Sequence, residues 1–218
     1  MNNTEILNVI NQMPLNSQRF LKIHGNRYMT DFVIKRSPIK QAVNVLLNII
    51  SFGKFEKIKQ KLNYDKLYHI RLIYKLDNDK VYQMEKTSNV QLGRQDSNYK
   101  TDDIFIINID KKIKLIDFVT NTIRYMGGDK FINYRSFFNN CQNYLKSAII
   151  ANDMYSEEAI NFIYQPMQKM IMLLPIYVQN ILNTITDIGS KLDLLLQNLG
   201  WIGLGFKQKM KKKRLKKK

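Results

Sequence analysis

The chain has 218 residues, 44% of them hydrophobic and 11% aromatic, which is enough for one domain with a real core plus an appended segment. Its formal net charge is +17, but nine Lys and Arg residues and no acid lie within residues 207–218, so the remainder carries only about +8. No run of about 20 apolar residues occurs, and no basic region followed by an apolar run opens the chain. We therefore expect an intracellular protein without a transmembrane helix or a secretory signal.

Two helices are predicted in the first quarter of the chain. Apolar residues recur on one helical face within residues 4–13, and Thr4 is placed to act as the N-cap. The second helix covers residues 39–52 and begins after Pro38, because proline is tolerated where a helix N–H has no partner to lose. It is expected to end near Gly53.

The first histidine lies between these helices. Residues 20–28 and 32–36 have the character of two short strands, and Gly25-Asn26 between them is typical of a hairpin turn. His24 is then an exposed residue beside that turn.

A β-hairpin carries the second histidine. Polar and apolar residues alternate from 67 to 76, a turn follows at 77–80, and residues 81–86 form the returning strand. A loop with an odd number of residues puts Glu85 on the same face as His69, and a two-residue loop puts it on the opposite face. Pairing of the more polar faces favours the odd loop.

A loop, a strand and a helix are predicted next. Residues 93–101 are loop-like, and the almost wholly apolar residues 103–109 predict a short strand in the centre of a sheet. The spacing of Leu, Val, Ile and Met over 115–126 predicts an amphipathic helix, which the following pair of glycines ends.

The only cysteine of the chain, Cys141, lies at a predicted helix start. Asn139 or Asn140 can cap a helix that runs to about Ile150. A helix N-terminus carries unpaired N–H groups and about half a positive charge, so the thiol pKa is expected to be low. The same N–H groups could hold an oxyanion.

The C-terminal third is predicted to be helical. One helix begins at Ser156 and runs to about Leu173 with a kink at Pro166, and a second begins near Pro175. Apolar residues from 174 to 199 are spaced alternately by four and three, a heptad stripe. The stripe is typical of a helical hairpin packed on the domain or of an oligomer interface.

The basic tail, residues 207–218, is expected to be disordered and to bind an anionic membrane surface or nucleic acid without selecting between them. A Gly-rich apolar stretch precedes it, which together with a polybasic run is a membrane-surface signal. Its charged residues are Lys207, Lys209, Lys211, Lys212, Lys213, Arg214, Lys216, Lys217 and Lys218.

Hydrolysis by a cysteine enzyme requires a thiolate nucleophile, a histidine that takes and returns the proton, and a polar group that orients the histidine. Cys141 is the candidate nucleophile, and the base must be His24 or His69 because the chain has no other histidine. A strand is the more rigid support, which favours His69. The residues that could orient it are Glu85, the leading candidate, and Asn89 and Asn108. No spacing of Cys and His suggests a metal site, and no cofactor is expected.

Three segments carry a resemblance to a known family. Residues 64–69, the strand 81–86 and the Asn-Asn-Cys-Gln-x-Tyr segment at 139–144 resemble the circularly permuted branch of the NlpC/P60 papain-like superfamily, which contains lecithin–retinol acyltransferase-like proteins. They also resemble similar proteins of large DNA viruses. The resemblance covers roughly residues 20–150. It implies a papain-like α+β core with Cys141 as nucleophile and His69 as base, as in thiol peptidases, amidases, lipid acyltransferases and phospholipases. Many members have a second histidine where Glu85 stands here.

We therefore expect an α+β protein with three parts. Residues 1–152 form the cysteine hydrolase domain, with a small antiparallel sheet and a Cys-bearing helix; residues 153–206 form the helical heptad segment, and residues 207–218 the basic tail. The substrate is a peptide or a lipid with an amide or ester carbonyl, in the host cytoplasm or the virion if the protein is viral. Two alternatives stay open: an adenovirus- or SUMO-protease-like peptidase, which also places an acid about 16 residues after its histidine, and an inactive scaffold that acts through the tail.

Overall fold

A computed structural model of the protein describes residues 1–38, 51–62, 68–94, 103–108, 111–133, 139–165 and 172–180. The elements within these ranges are α1 (Asn3–Ile10), α2 (Leu15–His24), β1 (Tyr28–Pro38), α3 (Lys54–Lys61), β2 (Tyr68–Leu76), β3 (Val81–Lys86), β4 (Val90–Arg94), β5 (Asp103–Ile107), β6 (Ile113–Lys114), α4 (Leu115–Met126), α5 (Gly128–Ile132), α6 (Cys141–Ala151) and α7 (Glu157–Ile163). The fold is mixed α+β, as predicted.

The strands form one antiparallel sheet in the order β4-β3-β2-β1-β5, and β6 pairs with β1. Successive side chains of a strand point to opposite faces, so each row of paired residues belongs to one face. An apolar row crosses four strands and faces the helices, whereas the neighbouring row on the other face is polar. The apolar row is Ile34, Leu72, Met84 and Leu92, and the polar row is Lys35, Arg71, Glu85 and Gln91.

The hydrophobic core lies between the apolar face of the sheet and the helices. Helix α6 packs against α4 and against β2 and β3. Tyr144 of α6 is buried, with its ring edge against Phe131 and its hydroxyl 3.6 Å from the Met84 sulfur. This packing fixes the start of α6, and therefore Cys141, at the His-bearing end of β2.

The loop of the β2–β3 hairpin has three residues, 77–79. The amide of Leu76 donates to the carbonyl oxygen of Lys80 at 3.0 Å, and Asp79 has a φ of 62°, in the left-handed region. A three-residue loop whose last residue is left-handed is a common hairpin connection. The loop is odd in length, so the prediction that Glu85 shares a face with His69 is confirmed.

The prediction of a hairpin around Gly25 is wrong. Residues 15–24 form α2 instead, Gly25 caps it with a φ of −56°, and only the second predicted strand exists, as part of β1. Helix α2 buries only Ser17 and Leu21, so its sequence lacks a clear apolar stripe with helical spacing. The alternation of apolar and polar residues near its C-terminal end therefore looked like that of a strand. The N-cap of α1 is Asn2 rather than Thr4.

Strand β5 lies at an edge of the sheet and not at its centre. Ile104 and Ile106 are more than half exposed, which the apolar run alone does not reveal. Strand β4 was not predicted, and its last two residues, Gly93 and Arg94, belong to the segment predicted as a loop, of which residues 95–101 lie outside the described residues. Helix α7 starts after Ser156 as predicted but ends at Ile163, well before the predicted end at residue 173.

Several predictions fall outside the described residues. They include most of the helix 39–52, the predicted kink at Pro166 with residues 166–171, the heptad stripe beyond residue 180 and the basic tail 207–218 with all nine of its charged residues. Residues 176–180 are helical, in agreement with a helix that begins near Pro175. Within the described ranges, every helix is too short or too polar to cross a bilayer.

Candidate active site

Cys141 is the first residue of α6, and the N-cap is Asn140, one of the two residues predicted for that role. The Asn140 side-chain oxygen accepts hydrogen bonds from the amides of Gln142 at 3.0 Å and Asn143 at 3.2 Å. The Asn143 side chain accepts in return from the Asn140 amide, which completes a capping box. The cap thus binds the Gln142 and Asn143 amides of the first turn but does not bind the Cys141 amide.

His69 and Glu85 are in direct contact. Nε2 of His69 lies 2.6 Å from Oε2 of Glu85. The two side chains are 23% and 14% exposed, so they are screened from solvent on most sides but still reachable from it. Because β2 and β3 each hold one partner rigidly, the carboxylate fixes the orientation of the imidazole.

The polar face of the sheet supports this carboxylate. Gln83 donates from Nε2 to Oε1 of Glu85 at 3.3 Å, so the two carboxylate oxygens have different partners. Arg71 lies opposite Glu85 in the β2–β3 ladder, is almost completely buried and donates to the Ser37 hydroxyl at 2.9 Å. Its positive charge favours the ionised form of Glu85.

The Cys141 side chain is hydrogen-bonded to His69, so the thiol, the imidazole and the carboxylate form one continuous chain. Burial opposes ionisation of the thiol, but the charge and hydrogen bond of His69 and the backbone amides of Ile70 and Gln142 together lower the pKa of Cys141. Burial likewise disfavours the imidazolium, yet the thiolate and Glu85 raise the pKa of His69 to about 10. The stable form of the pair is therefore thiolate and imidazolium.

The glutamine after the cysteine joins the site to the end of α7. The backbone amide of Gln165 donates to the Gln142 side-chain oxygen at 2.9 Å, and the Gln142 amide group donates back to Oε1 of Gln165 at 3.3 Å. That oxygen also accepts from the Tyr68 amide at 2.9 Å, directly before His69. The start of α6 and the start of β2 are thus held together through one buried side chain.

The other candidate residues lie elsewhere. His24 is at the end of α2, in ring contact with Phe20 and Tyr82, so it is not an exposed turn residue. Burial and the charges of neighbouring cations lower its pKa. The Asn89 side chain donates to the Gln12 carbonyl and accepts from the Val90 amide, and Asn108 is exposed beyond β5.

Four polar residues near the site were not singled out from the sequence: Arg71, Gln83, Lys86 and Gln165. Strand parity could have identified the first three, because Arg71 and Gln83 share the face of Glu85 and Lys86 falls on the face of the core. No sequence signal connects Gln165 with residues 68 and 142.

The ionised pair makes the stability of the protein depend on pH in both the acidic and the alkaline range. In the unfolded chain His69 takes up its proton below about 6.5 and Cys141 loses its proton above about 9. Because the pKa of His69 is raised in the folded state, His69 stabilises the fold at low pH, and this stabilisation is lost as the pH rises through about 10. Because the pKa of Cys141 is lowered, Cys141 stabilises the fold at high pH, and this stabilisation is lost as the pH falls. The two slopes oppose each other up to about pH 9, and above that pH only the loss from His69 remains.

We therefore expect the contribution of the pair to decline above about pH 9, to decline again at acidic pH where the thiolate takes up its proton, and to change little in between. Cys141→Ser should remove most of both declines, since a serine hydroxyl does not ionise in this range. Urea unfolding of both proteins from pH 5 to 10 measures the difference. Parallel curves for the two proteins would show that the thiol is not ionised in the folded state.

Comparisons with protein-family models, with curated proteins and with solved structures found no match to this chain.

Proposed function

We propose that the protein is a thiol hydrolase or acyltransferase that acts on an amide or ester carbonyl, with Cys141 as nucleophile, His69 as general acid and base and Glu85 as the residue that orients His69. One observation carries the proposal: His69 is hydrogen-bonded to both Cys141 and Glu85. A papain-like core, within a domain of residues 1–152, is part of the same proposal. The order along the chain, histidine strand, acid strand, cysteine helix, supports it.

The geometry supports a two-step reaction. The Cys141 thiolate attacks the carbonyl carbon, and the imidazolium of His69 gives its proton to the leaving amine or alcohol, which produces a thioester. The neutral imidazole then takes a proton from water or from an acceptor alcohol or amine, which attacks the thioester and restores the thiolate. Because Nε2 of His69 is held by Glu85, Nδ1 is the nitrogen left for these transfers.

The negative oxygen formed in each step needs hydrogen-bond donors. The Cys141 amide, at the start of α6, is suitable because the Asn140 cap takes the amides of Gln142 and Asn143 but not this one. The N-terminal dipole of α6 adds a favourable potential at the same point.

Two probes that carry the same thiol-reactive ketone test the proposal, one on a short peptide and one on a fatty acyl chain. We expect at least one of them to label Cys141 rapidly, with no labelling of Cys141→Ala and much slower labelling of His69→Ala. The preferred probe identifies the substrate class. Labelling that persists without Cys141, or that does not depend on His69, would overturn the proposal.

A non-enzymatic scaffold is the alternative class. It predicts that Cys141 reacts with either probe no faster than an ordinary thiol, while the protein still binds anionic vesicles or DNA in a salt-sensitive manner. Deletion of residues 207–218 should abolish that binding in both cases, so only the reactivity of the thiol separates the two functions.

A further inference from the structure

A buried lysine lies on the opposite side of the sheet from Glu85. Lys86 is the last residue of β3 and is fully buried, on the same face as the apolar residues Tyr82 and Met84. Glu85, its neighbour in the chain, points to the other face and binds His69. A lysine without solvent contact is rare unless its charge interacts with a specific partner.

The ammonium group of Lys86 is anchored behind the start of α6. Nζ donates a hydrogen bond to the carbonyl oxygen of Lys130 in α5. The side-chain amide of Asn139 donates to that same carbonyl at 2.6 Å and also to the carbonyl of Asn133. The segment that leads into Cys141 and the lysine are therefore attached to one point of α5.

Two groups of opposite charge act on Lys86. The first is the exposed carboxylate of Asp129 in α5, which accepts a hydrogen bond from Asn133 at 2.6 Å, and the second is the thiolate of Cys141 in α6. The hydrogen bond of Lys86 goes to a neutral carbonyl. The charge of the buried ammonium group is thus balanced in part by the thiol of the candidate active site.

We propose that Lys86 is a positioning residue, whose buried ammonium group holds a second positive charge behind Cys141 and together with His69 keeps the thiol ionised. The inference deepens the proposed function and rests on the thiolate that this function requires. Lys86 acts through the field at the sulfur and does not touch the reacting carbonyl.

The effect depends on pH. Burial lowers the pKa of Lys86 to about 7, while Asp129 and the Cys141 thiolate favour its charged form. The second positive charge is therefore about half present at pH 7, is gained as the pH falls below 7 and is lost as the pH rises above it. His69 remains charged to higher pH, so the contribution of Lys86 is confined to the acidic and neutral range.

Lys86→Met tests the inference, because methionine fills a similar volume without a charge. We expect the thiol pKa, read from the absorbance of the thiolate at 240 nm, to rise by less than in His69→Ala, with correspondingly slower alkylation by iodoacetamide at pH 6. Lys59→Met is the control: Lys59 is also buried, at 5% exposed, but lies in α3 and pairs with Glu56 at 3.1 Å. It should leave the thiol pKa unchanged.

A second measurement needs no substitution. Methyl methanethiosulfonate converts the single thiolate into a neutral methyl disulfide with loss of methanesulfinate. By reciprocity, this must lower the pKa of Lys86 by the amount that Lys86→Met raises the thiol pKa. The assigned ε-carbon resonance of Lys86, followed by NMR from pH 5 to 10, gives that value even if Lys86→Met does not fold.

The inference is overturned if the blocked and free proteins show the same Lys86 pKa, or if Lys86→Met loses stability with an unchanged thiol pKa, as a purely structural anchor would. Neither measurement uses a substrate. Failure of the hydrolase proposal with a retained Lys86–Cys141 coupling is therefore distinguishable from failure of the coupling itself.

Discussion

Replacing His69 by alanine is expected to raise the pKa of Cys141 to about 8.5 or above and to slow its alkylation at pH 6 by about 100-fold. In the folded protein, burial of the sulfur opposes ionisation, and the charge and hydrogen bond of His69 are the largest influences that overcome it. Without the imidazolium, the backbone amides of Ile70 and Gln142 and the proposed contribution of Lys86 are what is left to oppose the effect of burial. Turnover of any substrate should fall by about 10²- to 10⁴-fold, because the general acid is also lost.

His24→Ala is the matched control, since His24 is the only other histidine and its ring packs against Phe20 and Tyr82. It should leave the alkylation rate unchanged. Circular dichroism of both variants checks that they fold. An equal loss of thiol reactivity in the two variants would mean that the effect comes from destabilisation and not from the Cys141–His69 contact.

Replacing Arg71 by methionine is expected to destabilise the fold by about 3 kcal/mol, the second large effect. Arg71 is almost completely buried, donates to Ser37 and faces Glu85 across the ladder. Removing one member of a buried charged network leaves the others uncompensated, at a typical cost of about 3–5 kcal/mol. The pKa of Glu85 should also rise, because the Arg71 charge helps to lower it.

Urea unfolding at pH 7 measures this loss, and Lys75→Met provides the comparison in the same strand. Lys75 lies at the surface, where it contacts Asp31 and Asp79, so its removal should change the stability little. Similar losses for the two variants would contradict the conclusion that the polar face under Glu85 is a buried charge network.

Local patterns were sufficient for the parts of the site that lie on single elements. Alternation defined β2 and β3 to within a residue, and pairing of the more polar faces favoured the odd loop that puts Glu85 on the same face as His69. The helix of Cys141 was predictable because Asn140 is a strong N-cap and the apolar residues after it repeat with helical spacing.

Features that depend on long-range packing were not predictable. The alternation in residues 20–24 suggested a strand, but packing of Leu21 in the core made the segment part of a helix. The apolar run of β5 suggested a central strand, whereas Ile104 is 56% exposed at the edge. The Gln165 side chain contacts Gln142, 23 positions before it in the chain, and the Tyr68 amide, 97 positions before it. No local sequence pattern indicates contacts between residues so far apart.

The contact between His69 and Cys141 also changes how the lone cysteine is interpreted. An isolated cysteine is most often an inert, buried apolar residue, and Cys141 is indeed only 5% exposed. Its neighbours are not those of an inert thiol, since an imidazole and two backbone amides donate to it. Burial opposes both charges, so the ionised pair depends on these specific contacts.

The pKa of the Cys141 thiol in the native protein tests the account most directly. The chain contains a single cysteine, so the absorbance at 240 nm of the wild type minus that of Cys141→Ser reports this thiolate alone. We expect the thiol pKa to lie well below that of an ordinary thiol, so that the thiolate absorbance is already present at neutral pH. A pKa of about 8.5 or higher, as for a free or an inert buried thiol, would contradict the account.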